Sequence, residues 1–197
     1  MKKKLAVFAS GTGSNFEFIA KEITKGTVDG EIEILVCDKP GAEVIEKAES
    51  LSIPVWTFDA KLYPSKQSYE TEILLKLREI GVEWIILAGY MRLVGPTLLS
   101  AFENRIVNIH PSLLPAFPGK DAIGQALDAG VKLTGVTIHF VDAGMDTGKI
   151  IEQEAVRIES QDDRLTLQKR IQAIEHELFP KTIQALLTSI PREEINS

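Results

Sequence analysis

A short apolar run that ends in a glycine-rich loop and passes straight into helical periodicity is what most constrains this chain. Leu5-Ala6-Val7-Phe8-Ala9 is unbroken by polar residues, the mark of a strand buried on both faces of a parallel sheet. Ser10-Gly11-Thr12-Gly13-Ser14-Asn15 comes next, and then Phe16, Ile19, Ala20 and Ile23 recur at the spacing of one helical face. Ser14 and Glu17 stand three apart and predict a capping box at the start of that helix. The unit then repeats. Residues 32–37 read as a strand, 43–51 as a helix, 55–58 as a short strand and about 65–80 as a longer helix. Residues 84–88 form the next strand, 96–102 a short helix and 106–110 a strand. Such alternation predicts an α/β fold, doubly wound around a mostly parallel sheet.

Beyond a short helix at 121–130 the pattern changes. Residues 135–141 and 150–158 are extended runs joined by a Gly- and Asp-rich stretch, 142–149, which predicts a terminal strand pair rather than another βαβ unit. A last helix begins near Asp162 with Leu167, Ile171, Ile174 and Leu178 on one stripe, and Pro180 is expected to kink it before it runs on to about Leu187. At 197 residues, without a linker or repeat, the chain 1–197 reads as one domain.

Hydrophobic residues make up 44% and charged residues 25%, the balance of an ordinary globular protein. A net charge of −6 disfavours a nucleic-acid surface, while backbone N–H groups still allow a small anionic substrate. The single cysteine, Cys37, excludes an internal disulfide and lies in an apolar run, where it reads as buried filler. The start Met-Lys-Lys-Lys carries too short an apolar stretch for a secretory signal or a span, so a cytoplasmic location without a membrane partner is expected.

Residues 11–15 sit between a strand and a helix, where glycines let the backbone approach an anion and the helix N-terminus offers N–H groups. A dinucleotide loop wants a third glycine where Phe16 stands, and no P-loop Lys-Ser/Thr pair is present after it, so a mononucleotide-type phosphate fits better. The alternative is a tight turn with Ser14 as a simple cap. Asp38, followed by Lys39-Pro40, lies near where a ribose-binding acid would stand without settling that role.

Asn108 and His110 lie two apart in Arg105-Ile106-Val107-Asn108-Ile109-His110, so on a strand they share one face. An amide and a titratable imidazole at a strand's carboxyl end suit acyl chemistry, one for an oxyanion and one for a proton. Three prolines, Pro111, Pro115 and Pro118, stiffen the segment after this strand, and a cis bond at Leu114-Pro115 is allowed. A carboxylate partner for His110 is sought in Asp142 or Asp146, which local spacing does not separate. His139 reads first as a satisfied core or edge histidine and His176 as a partly exposed one, and no metal-ligand spacing links them. Met91-Arg92 comes after another strand end. A cation there could meet a carboxylate-bearing ligand, with a surface arginine as the default reading.

In combination, Gly11-x-Gly13-Ser14-Asn15, Ala88-Gly89-Tyr90-Met91-Arg92, Asn108-Ile109-His110-Pro111-Ser112-Leu113-Leu114-Pro115 and Asp146-x-Gly148 resemble the phosphoribosylglycinamide formyltransferases of purine synthesis, nearly end to end. The resemblance implies a Rossmann-like formyltransferase fold. Its N-terminal part, about 1–100, would bind the ribonucleotide phosphate, and its part about 101–188 would carry catalysis and folate binding. It implies formyl transfer from the cosubstrate 10-formyltetrahydrofolate to the amine of glycinamide ribonucleotide, with Asn108, His110 and Asp146 as the catalytic trio and no metal. Gly11, Thr12, Gly13, Ser14 and Asn15 would meet the ribonucleotide, with Glu175 near the ribose. Lys66, Met91, Arg92, Leu93, Val94, Asn108, Val141, Asp142 and Asp146 would meet the formyl folate. Lys66 stands where relatives often place Arg, Asp121 where they carry His after Pro-Gly, and Lys149 where many have Pro.

The resemblance also implies small-molecule partners only, with no nucleic acid, and is compatible with a homodimer. The competing readings are a formyltetrahydrofolate hydrolase, expected to carry an extra N-terminal domain, and a methionyl-tRNA formyltransferase, expected to carry a C-terminal RNA-binding domain. A non-catalytic nucleotide-phosphate binder and a plain Rossmann-like dehydrogenase come from other classes. The binder would not need Asn108, His110 and Asp146 together.

Overall fold

Strand β1 (Lys3–Ala9) is an interior strand, third from one edge of a seven-stranded sheet, in a computed structural model that describes residues 2–189. Six further strands join it: β2 (Gly30–Cys37), β3 (Val55–Thr57), β4 (Trp84–Leu87), β5 (Ile106–His110), β6 (Leu133–Phe140) and β7 (Ile150–Arg157). Their order is β3-β2-β1-β4-β5-β6-β7. The first five are parallel, whereas β6 and β7 run antiparallel, as the change of pattern after residue 130 predicts. The chain thus builds outward from β1 in one direction to β3 and in the other from β4. The reversal between β1 and β4 opens a crevice at the carboxyl ends of the strands.

The helices are α1 (Ser14–Lys25), α2 (Glu43–Ser50), α3 (Lys66–Ile80), α4 (Pro96–Ala101), α5 (Ala122–Asp128) and α6 (Arg164–Ser189). Alternate residues of β1 feed two cores. Leu5, Val7 and Ala9 meet Phe16 and Ile19 of α1 and Phe179 and Ile183 of α6 on one face. Ala6 and Phe8 meet Ile73 and Leu77 of α3 and Leu98 of α4 on the other. Each such large side chain contributes roughly 1.5–3 kcal/mol on burial.

Two local expectations need correction. Ser14 does not cap α1: the cap position is Gly13, at φ +74, and Ser14 is already the first helical residue. The capping box belongs to α3 instead, where Ser65 and Ser68 bond reciprocally. The buried stripe of α6 runs through Leu167, Ile171, Glu175, Phe179 and Ile183, with Ile174 and Leu178 only half-buried beside it. As expected, the helix runs on beyond Pro180, which is itself buried. Cys37 is fully buried and the Leu114-Pro115 bond is cis, both as the sequence allows. No helix of the described residues is long and apolar enough to cross a membrane.

Candidate active site

A cavity of about 630 Å³ occupies the crevice, within the size range of small-molecule sites. Its walls come from the loop after β1, the segment after β4, the end of β5, residues 141–146 beyond β6, and one side of α6.

The loop end is shaped by a close approach. Val44 N donates to Gly11 O at 3.1 Å, and a Cβ on Gly13 would lie 2.4 Å from Val44 Cγ2. The left-handed φ of Gly13 and this contact both demand glycine at the point where α1 begins beside the cavity, and a helix start carries N–H groups without intrahelical partners. Asn15 is buried, its Nδ2 donating to Glu175 Oε2 at 3.0 Å. Asn15 Oδ1 is also buried and has no hydrogen-bond partner among the described residues. Burial pushes the Glu175 carboxyl up to about 7, against the lowering effect of the Asn15 bond. An anion-seeking helix end and a carboxyl short of partners therefore sit side by side.

Across the cavity, residues 88–95 lead from β4 to α4. Arg92 Nε donates to Asp38 Oδ2 at 2.7 Å, so Arg92 is a half-buried ion-pair partner and not the free surface cation of the default reading. Asp38 is 5% exposed and turned inward to this pair, away from any ribose-binding role. Lys66 lies off the cavity wall: its Nζ donates to Leu93 O at 3.0 Å, and Leu93 lines the cavity. Four residues on along α3, the buried Glu70 accepts from Gly95 N at 2.6 Å. Burial raises its carboxyl despite that bond.

At the end of β5 the polar side chains converge. Asp146, at φ +56, turns the loop between β6 and β7, a left-handed conformation that aspartate tolerates better than most residues. Gly148 closes the same loop, where a Cβ would meet Phe140 O at 1.8 Å. Asp146 Oδ2 accepts from Gly119 N at 2.7 Å and lies 3.4 Å from His110 Nδ1. Its Oδ1 lies 3.5 Å from Asn108 Nδ2 and 3.7 Å from His139 Nε2. Burial alone would raise this carboxyl. The His139 side chain, the Gly119 N–H and the His110 charge together hold it below the usual carboxylate range.

His110 Nε2 stands 2.8 Å from Phe117 O, so acceptors face both ring nitrogens and a ring carrying both protons satisfies them. His139 Nδ1 donates to Phe140 O at 2.8 Å, and its Nε2 lies between Asn108 Nδ2, at 3.1 Å, and Asp146 Oδ1, at 3.7 Å. An amide, an imidazole and a low-lying carboxylate within one cluster can stabilise a developing oxyanion and relay a proton.

Of the residues singled out in sequence, 11–15, 91–94, Asn108, His110, Val141, Asp142, Asp146 and Glu175 line the one cavity, and Lys66 stands behind it. Asp142 is exposed and ties its own loop, accepting from Gly144 N and Thr147 Oγ1. His139, read first as a satisfied core histidine, is 2% exposed but directs its imidazole at Asn108. Its period-2 position in β6, opposite Asn108 in the register, was the available signal. Sequence reasoning missed Gln168 and Gln172, which line the cavity from the two turns of α6 that precede Glu175. His176 stacks on Phe18 at 3.7 Å and does not line the cavity.

The formyl transferase family profile matches residues 3–183. A phosphoribosylglycinamide formyltransferase of Bacillus subtilis is 54% identical over 185 residues, covering 94% of this chain and 95% of that protein. The trifunctional purine biosynthetic protein adenosine-3 of Gallus gallus is 42% identical over 183 residues, which is 93% of this chain and 18% of that protein. Among solved structures, phosphoribosylglycinamide formyltransferase from Bacillus halodurans superposes with a TM-score of 0.93 at 56% identity, covering 95% of this chain and 96% of that one. A glycinamide ribonucleotide transformylase from Geobacillus kaustophilus gives 0.93 at 55% identity, covering 95% and 100%. The hydrolase, dehydrogenase and pure-binder readings find no support in these likenesses. A mostly parallel sheet, a crevice at its reversal point and a profile spanning most of the chain thus agree: the chain belongs to the formyl transferase family.

Proposed function

We propose that this protein transfers the formyl group of 10-formyltetrahydrofolate to the amine of glycinamide ribonucleotide, a step of purine synthesis. The observation that carries the reading is the meeting of Asn108, His110 and Asp146 in the cavity that also holds the loop 11–15 and Glu175. The ribonucleotide phosphate would sit on the N–H groups of that loop, with its ribose toward Glu175. The folate pterin would lie against residues 91–94 and 141–146. In this assignment the part up to about 100 holds the ribonucleotide phosphate and the part from about 101 carries catalysis and most of the folate site, while residues 91–94 cross to the folate and Glu175 to the ribose.

The amine lone pair attacks the formyl carbon, a C–N bond forms, and the carbonyl pair moves onto oxygen. Asn108 Nδ2 and His110 would each turn one N–H from its resting partner, Asp146 or Phe117 O, to donate to that oxyanion. Asp146, kept ionised by its three neighbours, accepts the proton shed by the amine, directly or through water. The same proton passes to the folate nitrogen as its bond to the formyl carbon breaks, so charge and atoms balance without a covalent enzyme intermediate. His139 holds the Asn108 amide, and Gly119 N fixes Asp146 from the opposite side.

The reaction needs small molecules only, and we assign no nucleic acid, membrane or metal to it. Mixing the protein with glycinamide ribonucleotide and 10-formyltetrahydrofolate is expected to give a change in folate absorbance that depends on both. Equal turnover without the ribonucleotide would defeat the assignment in favour of hydrolysis.

A further inference from the structure

Residues 88–95 belong to no strand or helix and are held by groups reaching in from other elements. Their first tie is Ser10, the residue immediately before Gly11. Ser10 N donates to Gly89 O at 3.0 Å, and Met91 N donates to Ser10 Oγ at 2.9 Å. With that lone pair engaged, the Ser10 hydroxyl gives its own proton to Asp38 Oδ1. The other carboxylate oxygen of Asp38 accepts from Arg92 Nε at 2.7 Å. Ser10 is 2% exposed and Asp38 5%, and neither lines the cavity.

The arrangement is a relay across three strand ends. Ser10 continues β1, Asp38 comes directly after the last residue of β2, and Arg92 lies beyond β4. One end of the relay joins the loop assigned to the ribonucleotide, and the other joins the segment assigned to the folate. A buried carboxylate is held in place by its charge partner, because losing that partner leaves an unpaired charge away from water. Its two oxygens also point in fixed directions, one to a hydroxyl and one to a guanidinium. The hydroxyl rotor of Ser10 is fixed in turn by donating on one side and accepting on the other.

We propose that Asp38 is a positioning residue: by gripping Ser10 and Arg92 at once it sets the offset between the ribonucleotide loop and the folate segment. That offset fixes the approach of the amine to the formyl carbon. The proposal rests on the two-substrate reading above, and it extends that reading to a residue that touches neither substrate. A brace that merely supported one wall would govern the affinity of one ligand. A brace between two walls governs their register, which enters the rate of the bound complex, where a displacement near 1 Å can cost about a hundredfold.

The test uses the full chain with Asp38→Ala, Asp38→Asn and Ser10→Ala. For each, kcat and both KM values are measured, with the separate affinities for glycinamide ribonucleotide and for tetrahydrofolate by calorimetry. Asp38→Ala is expected to lower kcat by about 10- to 100-fold while each single-ligand Kd stays within about threefold. Asp38→Asn keeps an acceptor for Arg92 and an N–H for Ser10 Oγ, and is expected to recover most of the rate. Ser10→Ala, which removes one hydroxyl, is expected to lower kcat by about three- to tenfold.

Wild-type kcat in Asp38→Ala, or a loss confined to the binding of one ligand, would overturn the proposal. Should Asp38→Ala fail to fold, Ser10→Ala decides, and an unchanged kcat there overturns it equally. A wild-type protein without two-substrate turnover would remove the functional reading and this proposal with it. Wild-type turnover that the variants share removes the proposal alone.

Discussion

Beside α1 the cavity is lined by backbone N–H groups and by one carboxyl that burial lifts to about 7. Beside β5 it is lined by an amide, an imidazole and a carboxyl held low. Both carboxyls are withdrawn from water, yet they move in opposite directions. Glu175 has Asn15 as its hydrogen-bond partner, whereas Asp146 has the Gly119 N–H and the two histidines around it. Burial therefore does not decide the charge of a carboxyl; the number of donors that survive burial does. Under the proposed function, the first end would take donors from a ligand, and the second would already own the donors that the chemistry needs.

If that contrast holds, the largest effects belong to the β5 end. Asn108→Ala and Asp146→Asn are each expected to lower kcat by about a thousandfold while the affinity for the ribonucleotide is retained, as steady-state kinetics and calorimetry would record. A loss of ribonucleotide binding of similar size would erase the division of labour between the two ends.

The next effect belongs to the loop end. Gly13→Ala forces a side chain into φ +74 and onto Val44, at a cost of about 1–3 kcal/mol in stability. The KM for the ribonucleotide should rise about tenfold with kcat little changed. Normal kinetics with a normal melting temperature would show that the loop geometry does not matter.

The smallest effect is the sharpest probe of charge. Glu175 is raised from its ordinary 4.5 to about 7 in the fold, so the stability that its bound proton confers is complete below about 4.5 and is lost as pH rises through about 7. Glu175→Gln removes that dependence. The melting temperature of the ligand-free wild type is expected to fall by a few degrees relative to the Gln variant between pH 5 and pH 8. Parallel curves for the two proteins over that range would break the contrast at the Glu175 side.

The β1–β5 alternation was legible because each strand and helix there announces itself within ten or so residues, by an apolar run or a 3.6 period. Asn108 and His110 were legible as a same-face pair for the same local reason. Asp146 was not separable from Asp142 by spacing: both lie in one short loop, and only the fold turns one inward to Gly119 and the other outward to Thr147. His139, 31 residues from Asn108, and Asp38, 54 residues from Arg92, meet their partners through strand order, which no local window contains. Ser14 misled because a serine three residues before a glutamate looks the same whether the glycine ahead of it is left-handed or not. The stripe on α6 misled because Glu175 stands among Leu167, Ile171 and Phe179 as an apolar residue would, and a buried carboxyl breaks the pattern that locates a helix face.

The borders of the sheet carry one more consequence. On one side it ends in β3, only three residues long, and on the other in β7, whose exposed positions include Glu152, Glu154 and Arg157. A short border offers too few free amides to template another strand, and a charged one repels a like copy brought alongside it. The eight-residue β7 leaves the longer open edge of the two, so the acidic pair Glu152 and Glu154 is what opposes a like copy there.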